Sequence, residues 1–167
     1  MKLIIELRDK DIGINLPPVG EFNERLATRA VVFSASGDKV ALLHSHKLGY
    51  HILPGGGLEK DESPVDGLRR ELLEEVGANV SSIKEIGYTL QWQGQIPREH
   101  KNYCYTAVVD GELSDAEFAD DEIAEGYELL WVSLIEAVHL LETDATDDYK
   151  GKSNVRRDLA ILNEAVK

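Results

Sequence analysis

The stretch that decides the fold runs from Leu53 to Val80 and reads LPGGGLEKDESPVDGLRRELLEEVGANV. It opens with three consecutive glycines, Gly55–Gly57, which indicate a bend where the backbone adopts unusual angles or closely approaches a ligand. A helix is then predicted over residues 64–76, because Ser63 followed by proline suits the helix start and Gly77 suits its end. The sequence therefore places a short helix directly after a glycine bend.

Two faces are expected on this helix at about 100° per residue. The apolar stripe is formed by Val65, Leu68, Leu72 and Val76. The acidic residues are expected in the opposite sector: Glu71, Glu74 and Glu75. Carboxylates at this spacing repel one another unless a cation lies between them. A solvated acidic face is one interpretation, but the position after the glycine bend favours a site for Mg²⁺ or Mn²⁺, which prefer clustered oxygen ligands.

Composition limits the class of protein. A chain of 167 residues with 43% apolar side chains can bury one sizeable core, so a single domain over residues 1–167 is expected. The formal charge of −13 gives a nucleic-acid backbone no general attraction. No apolar run reaches membrane-spanning length, and the N-terminal segment is too charged for a signal peptide, so no membrane partner and a cytoplasmic location are expected. The single cysteine, Cys104, lies in an apolar run and is expected to be a buried hydrophobe.

The remaining elements follow from periodicity and turn residues. Strands are expected at KLIIELR, at RAVVFSA and KVALLHS joined as a hairpin, at YHILP, at EIGYTLQWQ and NYCYTAVVD, and at LLWV. A polar connection is expected over Gly94–Lys101, and an acidic connection without regular structure precedes LLWV. Helices are expected after Ser133 and from near Asn154 to Val166.

Read from Gly56, the stretch resembles the Nudix box: Gly, five residues, Glu, seven residues, Arg-Glu-apolar, one residue, Glu-Glu, one residue, Gly, apolar. The matching positions are Gly56, Glu62, Arg70, Glu71, Leu72, Glu74, Glu75 and Gly77. Ala78, at the last position, is smaller than the Ile, Leu or Val usual there. So many specified positions in register make the resemblance specific, although the rest of the chain resembles the family only in the order of its elements.

The resemblance implies an α/β (α+β) fold in which a mixed β-sheet is sandwiched between helices and the box forms a loop-helix-loop. It also implies metal-dependent hydrolysis of a nucleoside diphosphate linked to another moiety, at the P–O–P bridge. In this reading Glu71, Glu74 and Glu75 are the metal ligands, with Mg²⁺ or Mn²⁺ as the cofactor. The metal would neutralise substrate phosphates and lower the pKa of a bound water.

Two further roles are implied for side chains near the metal. Arg70 is expected to hold a nearby carboxylate through paired hydrogen bonds rather than to touch the substrate, and Glu62 is expected to be a supporting acid that does not itself bind the metal. The general base is either a box glutamate or an acid on the later acidic connection, where Glu125 is the candidate and Glu122 its rival. Solvation of the connection explains both of the later acids equally well.

Substrate contacts are expected around the glycine bend. Gly56 and Gly57 let backbone amides approach ligand oxygens, whereas Gly55 is left open as a residue that merely completes the bend. Arg98 is a candidate phosphate contact, with His100 and Lys101 in the same segment, although solvated loop charges explain them as well. Two roles are open for Tyr50, His51 and Trp92: stacking on a nucleobase or packing in the core. His44 and His46 alternate on a strand, but the sequence shows no third ligand for a metal.

The substrate class is the least determined feature. The simplest expectation is a nucleoside triphosphate that gives a nucleoside monophosphate and pyrophosphate. ADP-ribose, a dinucleoside polyphosphate or a nucleotide sugar are the alternatives, and a non-catalytic nucleotide sensor or interaction domain is an alternative of another class. A homodimer through the N-terminal strand is left open.

Overall fold

A seven-stranded mixed β-sheet organises the chain, and the computed structural model describes residues 1–167. The strands are β1 (Leu3–Arg8), β2 (Asn23–Phe33), β3 (Val40–Ser45), β4 (Tyr50–Ile52), β5 (Asn79–Gln93), β6 (Arg98–Asp110) and β7 (Tyr127–Val132). The helices are α1 (Pro64–Val76), α2 (Asp120–Glu125), α3 (Leu134–Thr143) and α4 (Tyr149–Ala165), and a short 3₁₀ turn (Asp9–Ile12) follows β1.

The strand order is β1-β5-β6-β2-β3-β4, with β7 on the other edge of β3. The pairs β1–β5 and β2–β6 are parallel, and the other pairs are antiparallel. Apolar side chains alternate across the sheet, so that Ala30 and Val32 pack on the side of α1 and Val31 packs on the side of α3 and α4. The expected sheet between helices is therefore confirmed.

Local signals account for α1. The Ser63 side chain accepts a hydrogen bond from the amide of Asp66, and Gly77 ends the helix with a φ of 65°. Leu68 and Leu72 are fully buried in the core, and burial of each such side chain stabilises the fold by about 2 kcal/mol relative to exposure. The helix bounds agree with the sequence prediction.

The predicted hairpin between β2 and β3 forms only at its turn. Phe33 and Val40 are the one residue pair that the two strands share. Beyond that pair, the backbone of the glycine bend takes the edge of β2: the amide of Thr28 donates to the Gly56 carbonyl, and the amide of Ala30 donates to the Pro54 carbonyl. This arrangement holds the glycine bend against the sheet.

Several other boundaries differ from the sequence predictions, and β2 and β5 each begin six residues earlier than expected, at Asn23 and Asn79. The strand β6 begins at Arg98, so that the connection from β5 is only residues 94–97. The reason is that residues 98–101 are all polar, so an apolar pattern does not detect them, although His100 is buried. The acidic connection carries α2. Helix α4 begins at Tyr149, because the Asp148 side chain caps it by accepting a hydrogen bond from the amide of Gly151.

Candidate active site

The glycine bend is anchored on α1 by a buried hydrogen bond. The amide of Gly55 donates to Oε2 of Glu75 at 2.6 Å. Gly55 has a φ of 129°, and a Cβ atom at this position would overlap the carbonyl oxygen of Thr28. Gly55 therefore does more than complete the bend, because only glycine fits this position and its amide contacts a box glutamate.

Glu75 occupies a different place from the one that the sequence predicted. The residue is 3% exposed and lies on the core side of α1, whereas the helical projection had assigned it to the face opposite the apolar stripe. That assignment was wrong, because Glu75 follows Leu68 by seven residues, about two helical turns, and so faces the same side. Burial raises the pKa of Glu75 well above its ordinary value, and Arg29 only partly offsets this effect.

Arg70 connects the box acids to the bend. Its guanidinium donates two hydrogen bonds of 3.0 Å to the carboxylate of Glu62, one of 2.8 Å to Glu71 and one of 3.0 Å to the Gly57 carbonyl. The hydrogen bonds from Arg70 hold the pKa of Glu62 below its ordinary value and, together with the charge of Glu71, raise the pKa of Arg70 itself. The bidentate contact fixes the orientation of the Glu62 carboxylate, and a single hydrogen bond links Glu71 to the same guanidinium.

Glu71 and Glu74 complete the acidic group. Glu71 lies under the bend, where a Cβ atom on Gly56 would overlap its carboxylate. Burial raises the pKa of Glu71, although the hydrogen bond from Arg70 opposes this effect. The Glu74 side chain is 48% exposed and also contacts Arg70, at 3.4 Å. The box acids thus range from buried to exposed.

The donor set fits a hard divalent cation. Glu71 and Glu75 of α1 both contact the glycine bend, and both have a raised pKa because burial is not balanced by positive charge. A bound cation would supply that charge, and Mg²⁺ or Mn²⁺ prefer such oxygen ligands. Glu71, Glu74 and Glu75 are the residues that would hold it.

A cavity of about 320 Å³ opens beside Gly56 and Glu75. Arg98 and Glu125 also line it, together with Tyr50, His100 and Glu122, so that the fold brings together seven of the residues singled out in the sequence. Gly57, Arg70 and Glu71 line a neighbouring cleft of about 870 Å³. Arg25 lines both the cleft and the cavity, so the two are neighbours that share this arginine.

Basic side chains converge on this cavity despite the acidic chain. They are Arg25 and Arg29 from β2, Arg98 and His100 from β6, and Lys150 and Arg157 from α4. Sequence reasoning missed Arg25, Arg29, Lys150 and Arg157. The sequence did contain one signal for a shared basic surface. Arg25 and Arg29 are four residues apart, and residues at this spacing on a strand point to the same face.

Two nitrogen atoms in the cavity wall lack a hydrogen-bond partner within the protein. They are Nε of Arg29 and Nε2 of His100. Both atoms are almost inaccessible to solvent, so they lie behind the surface that a ligand in the cavity would contact. Burial, followed by the charge of Arg157, lowers the pKa of His100 to about 2, which keeps its imidazole neutral.

Arg157 is fully buried and holds the back of the cavity. Its guanidinium forms two hydrogen bonds with Asp158, at 2.6 and 3.0 Å, and one with Gln91 at 3.1 Å. Asp158 in turn accepts a 2.9 Å hydrogen bond from the amide of Leu53, two residues before the glycine bend. Helix α4 thereby positions the bend as well as the cavity.

The later acids both line the cavity. Glu125 ends α2, and Glu122 lies one turn earlier, where its carboxylate accepts a 2.8 Å hydrogen bond from the amide of Ala119. Burial is the largest cause of the raised pKa of Glu75, and the charge of Arg29 opposes it. The negative charge of Glu122 raises this pKa further. The fold therefore brings both candidates for the base to the cavity that contains Glu75.

The remaining sequence candidates lie in different places. Tyr50 lines the cavity, whereas Trp92 packs edge-on against Phe22 with ring centroids 5.4 Å apart, in another part of the surface. Lys101 lies over the rings of Tyr88 and Tyr103 on the other face of β6 from His100. Stacking on Trp92 is thus not available to a ligand in the cavity.

Comparison with known proteins identifies the family and similar folds. Residues 23–154 match the NUDIX domain family. The chain is 31% identical to diphosphoinositol polyphosphate phosphohydrolase 3-beta of Homo sapiens and of Bos taurus, over 63% of its own length and 61% of each relative. The chain thus spans about three fifths of the length of these relatives. A mutator MutT protein from Bacillus halodurans has a similar structure, with a TM-score of 0.55 and 26% identity, over 70% of this chain and 72% of that chain.

The chain belongs to the Nudix family, as the sequence resemblance predicted. The family is a class of hydrolases that act on phosphoric anhydrides. No helix is long and apolar enough to span a bilayer.

Proposed function

We propose that this chain hydrolyses the P–O–P bridge of a small phosphoanhydride, most simply a nucleoside triphosphate, to give a nucleoside monophosphate and pyrophosphate. One observation carries the proposal: Arg25, Arg29 and Arg98 line the cavity that also contains the box residue Glu75. A phosphate chain would be held by these guanidinium groups while its bridge lies beside the glutamates.

The metal in this proposal is Mg²⁺ or Mn²⁺, held by Glu71, Glu74 and Glu75. When bound, it supplies charge neutralisation of the substrate and an activated water. Arg70 holds Glu71 through the 2.8 Å hydrogen bond, and the amide of Gly55 holds Glu75. These contacts orient the ligands before substrate binds, which lowers the reorganisation needed during the reaction.

We assign the binding of substrate phosphates to Arg98, to the backbone of Gly56 and Gly57, and to the additional arginines of the cavity. The guanidinium fork suits phosphate oxygens. Glu125 would take the proton from the attacking water, with Glu122 as the alternative, since both line the cavity. A box glutamate could also serve as the base.

A second candidate substrate is a diphosphorylated inositol polyphosphate. It is favoured by the number of basic side chains around the cavity, where only four of eighteen lining residues are apolar. The lining also carries five carboxylates, so a densely phosphorylated group would bind there together with metal ions that offset their charge. The diphosphoinositol polyphosphate phosphohydrolases at 31% identity support the same reading.

The test is metal-dependent phosphate release, measured with and without added pyrophosphatase and phosphatase. The panel contains nucleoside triphosphates, ADP-ribose, dinucleoside polyphosphates, nucleotide sugars and a diphosphoinositol polyphosphate. We expect turnover that needs Mg²⁺ or Mn²⁺ and is lost in Glu74→Gln. Binding of substrate and metal without turnover of any compound would contradict the proposal and support a non-catalytic sensor.

We also propose that residues 1–167 form one Nudix domain. The segment before the matched residues contributes β1, which pairs in parallel with β5. The segment after them completes α4, whose Ile161 and Leu162 are buried in the core. A single cooperative unfolding transition would support this proposal, and two separate transitions would contradict it.

A further inference from the structure

A group of three metal-binding side chains lies away from the Nudix box. The ring nitrogens of His44 and His46 and a carboxylate oxygen of Glu128 all lie within 4.8 Å of one another. The imidazole Nε2 of His46 is 2.7 Å from Oε2 of Glu128. The sequence supplied the two histidines, and the fold adds the third ligand.

Sheet register explains why these residues meet. His44 on β3 is paired directly with Glu128 on β7, and His46 follows His44 by two residues. Directly opposed residues and residues two apart share one face of a sheet. The pairing of β3 with β7 therefore forms this group, although its members are more than eighty residues apart in sequence.

The ring of His44 is held from behind by two nearly buried residues. It stacks on His51 with ring centroids 4.4 Å apart and an angle of 22° between the planes. Nδ1 of His51 is 3.0 Å from the carboxylate of Asp144, which also accepts the 2.7 Å hydrogen bond of the His51 amide. This support fixes His44, while His46 and Glu128 stay exposed and can adjust to an ion.

The group is on the opposite face of the sheet from α1. Ala41 packs in the core cluster of α1, and Leu42 packs in the cluster of α3 and α4. His44 follows Leu42 by two residues and so shares its face. The sheet itself separates this group from Glu71 and Glu75.

We propose that His44, His46 and Glu128 bind a divalent transition-metal ion of the Zn²⁺ type. Two imidazoles and one carboxylate are a ligand set that Zn²⁺ accepts, with a water at the fourth position, whereas Mg²⁺ favours oxygen ligands alone. A simple ion pair would use only His46 and Glu128, and it would not require the supported ring of His44 beside them.

An ion at this position would stabilise the start of β7. The amide of His46 donates to the carbonyl of Gly126, and the amide of Lys47 donates to the carbonyl of Glu125. The ion would add a link between β3 and β7 at the end of α2, which carries Glu122 and Glu125. The expected role is therefore structural: it holds the segment that contributes these acids to the cavity.

The test uses metal-stripped full-length protein with excess Mg²⁺ present, so that the box site is saturated by its own type of ion. Binding of Zn²⁺ is measured by competition with a chelator, and Co²⁺ is used as a spectroscopic probe of imidazole ligands. We expect one equivalent of each ion, an absorption band from bound Co²⁺ and a rise in Tm with Zn²⁺.

Two variants remove exposed ligands without disturbing the core: His46→Gln and Glu128→Gln. Each is expected to weaken Zn²⁺ binding at least about tenfold and to abolish the rise in Tm. The matched control His139→Gln replaces an exposed histidine of α3, and Glu74→Gln changes the Nudix box; both are expected to bind Zn²⁺ like the wild type. Wild-type affinity in His46→Gln, equal losses in Glu74→Gln, or no Zn²⁺ binding by the wild type would each overturn the proposal.

Discussion

The amide of Gly55 donates a 2.6 Å hydrogen bond to the buried carboxylate of Glu75. This contact joins the glycine bend to α1 and sets the position of a box acid at the edge of the cavity. It also shows that the first glycine of the run is as constrained as the second, since neither position has space for a side chain.

Gly55→Ala is expected to lower the free energy of unfolding by about 2 kcal/mol or more, because the backbone conformation is strained for alanine and the Cβ atom overlaps Thr28. Urea unfolding measures the change. Gly37→Ala is the control, since Gly37 also has a positive φ but nothing lies near its Cβ position. Equal losses in the two variants would show that the overlap with Thr28 contributes nothing.

Glu74→Gln and Glu75→Gln are each expected to reduce kcat/KM about 10²-fold or more, since each removes a charged metal ligand. Neither variant should be less stable without metal: Glu74 is exposed, and Glu75 is a buried acid whose ionised form is disfavoured. Steady-state kinetics and urea unfolding check both statements. Glu112→Gln, an exposed acid outside the site, provides the control, and full turnover in both box variants would contradict the metal assignment.

Arg70→Lys is expected to lower kcat/KM and Mn²⁺ affinity about 10- to 100-fold, because lysine cannot replace the paired hydrogen bonds to Glu62. Electron paramagnetic resonance of Mn²⁺ gives the affinity directly. The neighbouring variant Arg69→Lys is a matched control, since Arg69 makes a single hydrogen bond to the carbonyl of Val80. Unchanged Mn²⁺ binding in Arg70→Lys would remove the positioning role from this arginine.

Glu125→Gln is expected to lower kcat by about 10²-fold or more if this residue takes the proton from water. Glu122→Gln should then have a smaller effect, and Asp121→Asn, which changes a third acid of the cavity, should have little effect. The pH dependence of kcat is the measurement, since loss of the base also removes its acidic limb. A larger effect in Glu122→Gln would assign the base to that residue, and small effects in both would assign it to the Nudix box.

His100 is expected to make the protein less stable as the pH falls below about 6.5. Its pKa is lowered from 6.5 to about 2 in the fold, so the unfolded chain binds more protons between these values. Well above pH 6.5 the ionisation of His100 does not affect the free energy of unfolding. Below that pH the free energy of unfolding falls, by about 2 kcal/mol at pH 5. Urea unfolding at several pH values should show a shallower dependence in His100→Gln than in the wild type or in the exposed control His139→Gln. Identical dependences in all three would contradict the lowered pKa.

The sequence was informative wherever structure depends on neighbouring residues. Ser63 and Gly77 predicted the bounds of α1, because caps act within one turn of the helix. The burial of Glu75 was also available from the helical period, and only the assignment of its face was wrong. Local patterns therefore located the box and the element that carries it.

The cavity could not be predicted in the same way. Arg29 and Arg157 meet there because β2 pairs in parallel with β6 and α4 packs across the sheet. Such pairings join distant segments, and no local pattern specifies them. The third ligand beside His44 and His46 was missed for the same reason, since Glu128 is brought in by the β3–β7 register.

The attachment of α4 to the bend has a consequence for engineering and for divergence among relatives. Arg157 and Asp158 lie beyond residues 23–154, the part that matches the family. Yet Arg157 lines the cavity, and Asp158 accepts a hydrogen bond from the backbone just before Gly55. The acids that we propose as metal ligands lie in the Nudix box, whereas part of the cavity wall is supplied by a helix that extends beyond the matched residues. A chimera that keeps the Nudix box but receives the last helix of another member is expected to change what it hydrolyses before it loses the ability to hydrolyse.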